Sequence, residues 1–332
     1  MSVRRRRHGP TFRRRRRTTT RRAAAIAAQV ALVAAAVFLA LWAVLGGRDG
    51  DSPAPSAAAS AVASEPAPPG SFESRSPAPI RMIPEDAFAV RWRKPPRAAL
   101  VFDMRTGESL YRRAARREYP IASLTKIMTA LAVTAATEPD EAVTVPRGLR
   151  YEGSAVGLLP KGRRVRAEPL LGGLMIVSGN DAAIVLARHV SGTVARFVAL
   201  MNEQARLWEL GCTRFETPHG LSDGDRSCAV DLAVMTRLAM RRPRIAAVAG
   251  AAQASYRFPI EGGKLYLSGH NPLIRAGYRG ATGLKTGYTD AAGRCFVGVA
   301  RRGGRSYGVV LLDSPDPGRQ AARLLDLAFA TG

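Results

Sequence analysis

The chain has 332 residues, a formal net charge of +24 at pH 7 and 46% hydrophobic residues. A chain of this length can bury a core of ordinary size, so one or two domains are expected. The basic charge suits nucleic acid, anionic lipid and acidic cell-wall polymer alike, so charge alone excludes none of them.

The chain begins with a basic tail, residues 1–22, that contains 11 arginines and no acidic residue. Residues 23–45 follow directly and carry no charge and one polar side chain, Gln29. As a helix these 23 residues would span roughly 34 Å, enough for a bilayer core of about 30 Å. The run is longer than a signal-peptide core and lacks a close cleavage site, although a removed signal remains the alternative. We therefore predict a transmembrane anchor with a cytoplasmic N-terminus and an extracytoplasmic body.

Residues 46–96 hold ten prolines among many Ala, Ser and Gly residues. This composition predicts a disordered linker that separates the membrane from a folded domain at residues 97–332. Arginines that adjoin an apolar helix are better explained by membrane orientation than by a DNA-binding arm, so no nucleic acid is expected.

The folded domain opens with RAALVFDM, a Thr106-Gly107 turn and SLYR, a pattern that predicts a β-hairpin. From Ser123 to about Ala136 the pattern becomes helical, with Ile127, Leu131 and Ala135 on one stripe. A polar stretch rich in Gly and Pro follows, with no predicted element before about residue 167.

The middle of the domain is predicted to be helical at PLLGGLMIV, at AAIVLARHV with Asp181 as its N-cap, over 193–210, and over 230–242 before Pro243. Five short runs then predict strands, and PGRQAARLLDLAF predicts a final helix; the runs are SYRFPI, KLYLSG, TGLKTGY, RCFVGVA and SYGVVLLD. Strands at both ends and helices between them imply one α/β domain whose sheet joins both termini. There is no internal repeat.

Ser123-Leu-Thr-Lys126 places a hydroxyl and an amine one helical turn apart, within reach of each other. Only five of the 50 basic residues are lysines, and lysine differs from arginine in that burial and nearby cations can lower its pKa enough to make it a base. Such a base activates a serine nucleophile, and the Ser123 N–H at the helix start would suit an oxyanion. Alternatively, Ser123 is only an N-cap and Lys126 a solvated side chain.

Two further short motifs carry polar groups. Ser178 and Asn180 lie between two predicted helices, where they would bond a substrate backbone or simply end one helix and start the next. Lys285 and Thr286 lie in a strand-like run and would suit a carboxylate, with Gly287 allowing close approach. The alternative for these three is an exposed strand end.

The three cysteines and four histidines show no metal-ligand spacing, so neither a metal nor a cofactor is expected. Outside the cytoplasm a disulfide between Cys212 and Cys228 is possible, which would leave Cys295 unpaired.

Together, S-x-x-K, S-x-N and K-T-G form the ordered signature of penicillin-binding proteins and class A β-lactamases. The flanks ASLTKIMTAL, SGNDAA, FVALMNEQA, LGCTRFETPHGL, AVDLAVMTR and GLKTGYTDAAGRCFV resemble the serine D-Ala-D-Ala carboxypeptidases, the low-molecular-mass penicillin-binding proteins. The resemblance covers about residues 97–330. It implies a DD-peptidase/β-lactamase-like α/β fold: an antiparallel sheet flanked by helices, with a helical subdomain.

The resemblance also implies a reaction. Ser123 would attack the penultimate D-Ala carbonyl of a peptidoglycan stem peptide and form an acyl-enzyme that water hydrolyses. Lys126 would be the base, and Ser178 would relay the proton to the leaving amine. β-Lactams would acylate the same serine.

The binding roles implied are equally specific. Asn180 would bind the substrate amide, and Lys285 and Thr286, with Gly287 beside them, would hold the terminal carboxylate. The oxyanion would be bound by the Ser123 N–H and by that of Tyr288.

The sequence departs from the family pattern in one place. Where relatives often carry a His and then Ser-Thr, this chain has Asp225, Ser227 and Cys228, which puts the local loop in doubt. A class A β-lactamase would need a deacylating glutamate, and Glu152 and Glu168 lie in that region without a matching motif. A catalytically silent wall-binding protein is the other alternative, although the trio is intact.

Overall fold

The computed structural model describes residues 77–331. The predicted basic tail, the transmembrane helix and the linker as far as residue 76 lie outside this range. The strands of the described part are β1 Ala98–Asp103, β2 Ser109–Arg113, β3 Tyr119–Pro120, β4 Ala142–Thr144, β5 Arg164–Arg166, β6 Arg226–Ser227, β7 Gln253–Arg257, β8 Lys264–Ser268, β9 Ala281–Thr289, β10 Gly293–Arg302 and β11 Arg305–Leu312.

The helices follow the same chain order. A 3₁₀ turn, Ala122–Thr125, runs directly into the first of them. They are α1 Lys126–Ala136, α2 Ala167–Met175, α3 Asn180–Ser191, α4 Val194–Leu207, α5 Ala229–Arg241, α6 Pro243–Ala249, α7 Pro272–Arg275 and α8 Pro317–Thr331.

Five strands form an antiparallel sheet in the order β2-β1-β11-β10-β9. The first strand pairs with the last one, from Ala98 opposite Leu312 to Asp103 opposite Tyr307. The predicted sheet that joins both ends of the domain is therefore confirmed. Strand β9 lies at one edge of this sheet, so within residues 77–331 one side of its backbone has no paired strand.

The sheet is apolar on both faces because helices cover both of them. Along β1, Ala99 and Val101 pack with α8, whereas Leu100 and Phe102 point into the larger core that contains α1 to α6. This alternation is the period of two expected of a strand. Helix α1 is buried on almost every side, so the predicted stripe is only part of its buried surface.

Several predicted boundaries are corrected by the structure. Asp181 does not cap α3, which begins at Asn180 with Gly179 as its N-cap, two residues before the predicted cap. The Asp181 carboxylate instead accepts hydrogen bonds from the N–H groups of Val156 and Gly157, at 2.9 Å each. The polar stretch before residue 167 contains the hairpin of β4 and β5. Pro243 ends α5 as predicted but also starts α6, because proline is well accepted in a first helical turn.

Residues 77–96, which the sequence places in the linker, pack on the folded domain. Ile80 is 4% exposed, and the backbone of Arg81 bonds the carbonyl of Gly107 at 2.9 Å. Phe88 stacks on Tyr111, with ring centroids 5.6 Å apart. The folded domain therefore begins before residue 97. The sequence does not show this because Ile80 and Phe88 are isolated apolar residues, without the period that marks a strand or a helix.

In residues 77–331, no single helix is long and apolar enough to cross a bilayer. The bent pair of Asn180–Ser191 and Val194–Leu207 meets the length and composition requirement only when both helices are taken together.

Candidate active site

Ser123 and Lys126 meet at the start of the first helix. Ser123 lies in the 3₁₀ turn and Lys126 is the first residue of α1, so their side chains lie on one face. The Lys126 Nζ atom is 2.9 Å from the Ser123 Oγ atom. Ala122, just before the serine, has φ +48°, a conformation that costs a non-glycine residue about 1–2 kcal/mol. The turn that presents the hydroxyl is therefore held in place by its surroundings.

The fully buried Lys126 amine has two further partners. Its Nζ atom donates to the Asn180 Oδ1 atom at 2.6 Å and to the His219 carbonyl at 2.7 Å. The His219 carbonyl can only accept a hydrogen bond. The Asn180 Oδ1 atom also accepts, because the Asn180 Nδ2 atom donates to the Glu152 carbonyl at 2.6 Å and so fixes the amide orientation. A neutral amine has two N–H donors and one lone pair. With both donors in use, a neutral Lys126 would have only its lone pair for the Ser123 hydroxyl, which also lies 3.4 Å from the His219 carbonyl oxygen.

The electrostatics favour this neutral amine. Burial, and then the charge of Lys285, lowers the pKa of Lys126 well below its ordinary value, while Asp225 and Asp181 act in the opposite direction. Burial also lowers the pKa of Lys285 to about 7. The pKa of His219 falls to about 4, because of burial first and the Lys126 charge second, so its ring is neutral at pH 7.

The second motif lies on the connection between α2 and α3. Ser178 is 8% exposed and adopts φ +61°, a left-handed conformation that is strained for serine. Asn180 is the first residue of α3, and its N–H donates to the Ser154 carbonyl at 2.7 Å. The structure thus brings Asn180 into direct contact with Lys126, as the reading of S-x-N as a site motif requires.

The third motif lies on the edge strand β9. Lys285 is 2% exposed, and its Nζ atom donates to the Thr286 carbonyl at 2.8 Å. Gly287 lies against the serine turn, where an added Cβ atom would come within 3.0 Å of the Ser123 backbone nitrogen. Tyr288 is 63% exposed and its hydroxyl donates to Asp290 at 2.8 Å. The edge strand and the nucleophile therefore form the two sides of one site.

The comparisons with known proteins agree with this geometry. A profile of the D-alanyl-D-alanine carboxypeptidase family matches residues 93–316. This chain belongs to that family. The predicted family, enzyme class and fold are therefore confirmed.

Individual relatives of the carboxypeptidase show the same likeness. D-alanyl-D-alanine carboxypeptidase DacB2 of Mycobacterium tuberculosis is 39% identical over 249 residues, 71% of this chain and 83% of the relative. DacF of Bacillus subtilis is 31% identical over 244 residues, 70% of this chain but only 62% of the relative. A crystal structure of a D-alanyl-D-alanine carboxypeptidase from M. tuberculosis H37Rv matches with TM-score 0.67 and 33% identity, covering 77% of this chain and 96% of that one. A mutant of a Streptomyces DD-transpeptidase matches with TM-score 0.66 and 28% identity, covering 72% and 100%.

The carboxypeptidase site also contains residues that the sequence did not identify as functional. The His219 carbonyl accepts from Lys126, and an added Cβ atom at Gly220 would lie 2.0 Å from the Ala122 carbonyl oxygen. The Thr129 hydroxyl, one turn along α1, donates to the Pro218 carbonyl at 2.6 Å. The sequence indicates the stretch HGL only through the family resemblance, because a backbone acceptor has no sequence signature of its own.

The cysteines of the carboxypeptidase take the arrangement left open by the sequence. Cys212 and Cys228 form a disulfide with their Cα atoms 5.5 Å apart, and Cys295 is a buried free thiol. Asp231 lies beside the two sulfur atoms. Within residues 77–331, Cys212, Cys228 and Asp231 are the group of potential metal ligands whose atoms lie close enough together to hold one ion. Sulfur atoms joined in a disulfide are not thiolates, so this cluster does not supply the ligands that a metal needs.

Proposed function

We propose that this carboxypeptidase removes the terminal D-Ala from peptidoglycan stem peptides through an acyl-enzyme on Ser123. The observation that carries the proposal is the buried Lys126 amine 2.9 Å from the Ser123 Oγ atom, with the Asn180 Oδ1 atom and the His219 carbonyl oxygen as its other two partners. Such an amine accepts the proton of a serine hydroxyl as the hydroxyl attacks.

In the first half-reaction, the Ser123 oxygen bonds the carbonyl carbon of the penultimate D-Ala, and its proton passes to Lys126. The tetrahedral oxyanion is stabilised by the backbone N–H groups of Ser123 and Tyr288, because Gly287 lets β9 approach the serine turn closely. Collapse breaks the peptide bond. The leaving amine of D-Ala takes a proton through Ser178, which leaves an ester on Ser123.

Substrate contacts are assigned to the flanking motifs. Lys285 and Thr286 bind the terminal carboxylate, and Asn180 bonds the substrate amide as well as Lys126. Water then hydrolyses the ester, with Lys126 in the neutral form again available as a base. The open side of β9 suits an extended peptide that adds to the sheet edge.

β-Lactams are expected to acylate Ser123 and to leave slowly. A class A β-lactamase needs a glutamate beside the acyl-enzyme, yet Glu168 is held by Arg244 at 2.8 Å, and Glu152 contacts the site through its backbone carbonyl alone. We therefore favour the peptidase. Rapid β-lactam turnover would instead indicate the β-lactamase.

We also propose that residues 23–45 anchor the enzyme in the cell membrane, with the arginines of 1–22 on the cytoplasmic side and the catalytic domain outside. The charge asymmetry and the length of the apolar run support this. The mass of the mature N-terminus in a membrane fraction tests it, and an N-terminus beyond residue 45 would disprove it.

The direct test of activity uses a stem peptide that ends in D-Ala-D-Ala and mass spectrometry of its products. The wild-type enzyme should release one D-Ala, and Ser123→Ala should release none. A labelled penicillin should modify Ser123 in the wild type, and the absence of that adduct would leave only a wall-binding role. Equal D-Ala release by both proteins would disprove the proposal.

A further inference from the structure

Residues 212–228 form a loop that lies directly behind the nucleophile, and we call them the clamp loop. The His219 carbonyl of this loop accepts from the Lys126 amine at 2.7 Å. Its Gly220, with φ +89°, is packed so tightly on the serine turn that an added Cβ atom would lie 2.9 Å from the Ser123 nitrogen. The position of the clamp loop therefore determines where the base and the nucleophile lie.

The three positions at which the sequence departs from the family pattern all fasten this loop. Cys228 closes it through the disulfide to Cys212. The Ser227 hydroxyl lies 2.9 Å from that of Thr213, which ties the two ends together a second time. Asp225 is fully buried, and its backbone carbonyl accepts from the N–H of Ile121, two residues before the nucleophile, at 3.0 Å.

The Asp225 carboxylate organises the part of the loop that touches Lys126. It accepts from the N–H groups of Glu216 and Thr217 at 2.7 and 2.9 Å, and from the Thr217 hydroxyl at 2.5 Å. The same Thr217 oxygen accepts from the N–H of Gly220 at 2.8 Å. A continuous chain of hydrogen bonds thus runs from Asp225 through Thr217 to the residue that follows His219.

The structure assigns to Asp225 the role of a positioning residue: its carboxylate holds the His219 carbonyl on Lys126 and supplies a negative charge behind the catalytic pair. This inference rests on the proposed acylation of Ser123 by Lys126. It explains why the departures at Asp225, Ser227 and Cys228 leave the site intact, since each contributes a bond that fixes the clamp loop.

Burial raises the pKa of the Asp225 carboxyl, and the hydrogen bonds from Thr217 and Glu216 oppose that rise. Above this pKa, the charge of Asp225 gives its role a distinct signature. The groups whose charge acts on Lys126 are Lys285 from β9, Asp181 from α3 and Asp225 from the clamp loop, while His219 of the same loop is neutral at pH 7. Burial and Lys285 lower the pKa of Lys126, whereas Asp225 and Asp181 raise it. If Asp225 loses its charge, the pKa of Lys126 falls further, and acylation then begins at a lower pH.

Two variants separate position from charge. In Asp225→Asn the amide oxygen still accepts from the N–H groups of Glu216 and Thr217, and the amide nitrogen can donate to the Thr217 hydroxyl, so the loop keeps its bonds and loses only the charge. Asp225→Ala removes both, and it leaves the Thr217 groups without their buried partner.

Asp231→Asn is the matched control. Asp231 is also a buried carboxylate bonded to the clamp loop, with 2.8 Å contacts to the Cys212 N–H and the Thr213 hydroxyl. Asp231 is not among the groups whose charge shifts the pKa of Lys126. Its loss should therefore affect the stability of the loop ends without moving the pH dependence of acylation.

The experiment measures the second-order rate of penicillin acylation against pH for the wild type, the three variants and Ser123→Ala, with thermal unfolding as a check on folding. Asp225→Asn should move the acidic limb to lower pH and keep the plateau within about threefold of the wild type. Asp225→Ala should lower the plateau by roughly 10- to 100-fold, as expected when catalytic groups are displaced by about 1 Å. Asp231→Asn should leave the limb where it is.

An unmoved limb in Asp225→Asn, together with a plateau in Asp225→Ala equal to the wild type, would overturn the inference. So would equal losses in Asp225→Asn and Asp231→Asn with neither limb moved, because that describes a structural role only. If wild type and Ser123→Ala are equally unlabelled, the proposed function fails instead, so the two failures are distinguishable. Should Asp225→Ala not fold, the limb of Asp225→Asn decides the question alone.

Discussion

Replacing each active-site lysine with arginine should separate a lysine that must lose a proton from one that must keep it. Lys126 is fully buried, and its Nζ atom lies 2.6 to 2.9 Å from three oxygen atoms. A guanidinium is always protonated and has no lone pair for the Ser123 hydroxyl. Loss of a general base costs about 10²- to 10⁴-fold, which is about 3–5 kcal/mol of transition-state stabilisation. Lys126→Arg should therefore lose at least that factor in acylation.

Lys285→Arg should be milder because its role needs a charge and a shape. A guanidinium binds a carboxylate in a bidentate manner, but the site is 2% exposed, and overpacking of this kind costs about 1–3 kcal/mol. We expect a loss of roughly 10- to 100-fold. Because burial lowers the pKa of Lys285 to about 7, wild-type kcat/KM for D-Ala release should fall as the pH rises above that value and the ammonium is lost. The arginine variant should lack this fall.

The assay is D-Ala release from a stem peptide between pH 5 and 10 (about the range in which both lysines titrate), with penicillin acylation of Ser123 measured in parallel. Unfolding curves identify any variant that has lost its fold. The reasoning would be refuted by Lys126→Arg within tenfold of the wild type, or by Lys285→Arg losing as much as Lys126→Arg while folded.

Three further outcomes are expected. Gly220→Ala should destabilise the enzyme and slow acylation more than tenfold, because the added Cβ atom would lie 2.0 Å from a backbone carbonyl oxygen. The control is Gly262→Ala, also at positive φ but with open space around it, which should lower the free energy of unfolding in denaturant by only about 1–2 kcal/mol. Equal effects of the two substitutions would contradict this account. Reduction of the Cys212–Cys228 bond, which closes a separation of 16 residues, should lower the free energy of unfolding by about 3 kcal/mol, whereas an unchanged midpoint would argue against a closed loop. Tyr288→Ala should acylate within about threefold of the wild type, because the side chain is 63% exposed and the proposed contact is through its N–H; a larger loss would mean that the ring contacts the ligand.

Much of the fold is readable from sequence because its elements have strong local patterns. Strands β1, β10 and β11 are apolar runs beside glycine turns, and Lys126 follows Ser123 at the spacing of one helical turn, so both features are fixed by short-range geometry. The hairpin of β4 and β5 was missed because each strand has three residues, and Arg164 and Arg166 read as polar coil. Asp181 was misplaced because Asp is common both as an N-cap and within the first helical turn.

The clamp loop shows what sequence reasoning leaves out of an active site. Its main contribution is the His219 carbonyl, a backbone group that any residue would supply. The position of this carbonyl depends on Asp225, which comes later in the chain. The one local signal is Gly220, whose φ of +89° and contact with the serine turn leave room for no side chain. A pattern of departures from the family was visible, but only the contacts show that the three departures act on one loop.

In the proposed mechanism, the two buried lysines make the strength of the base depend on the substrate. In the free enzyme the charge of Lys285 adds to burial in lowering the pKa of Lys126, which keeps the amine neutral and ready to accept a proton. A terminal carboxylate bound to Lys285 offsets that charge, so its influence on Lys126 weakens. The same event that places the scissile carbonyl near Ser123 therefore makes Lys126 a stronger base. An arginine at position 126 could not respond in this way because it does not lose its proton, and a neutral residue at position 285 would remove the coupling. Position 126 therefore requires a lysine, whereas position 285 requires a cation.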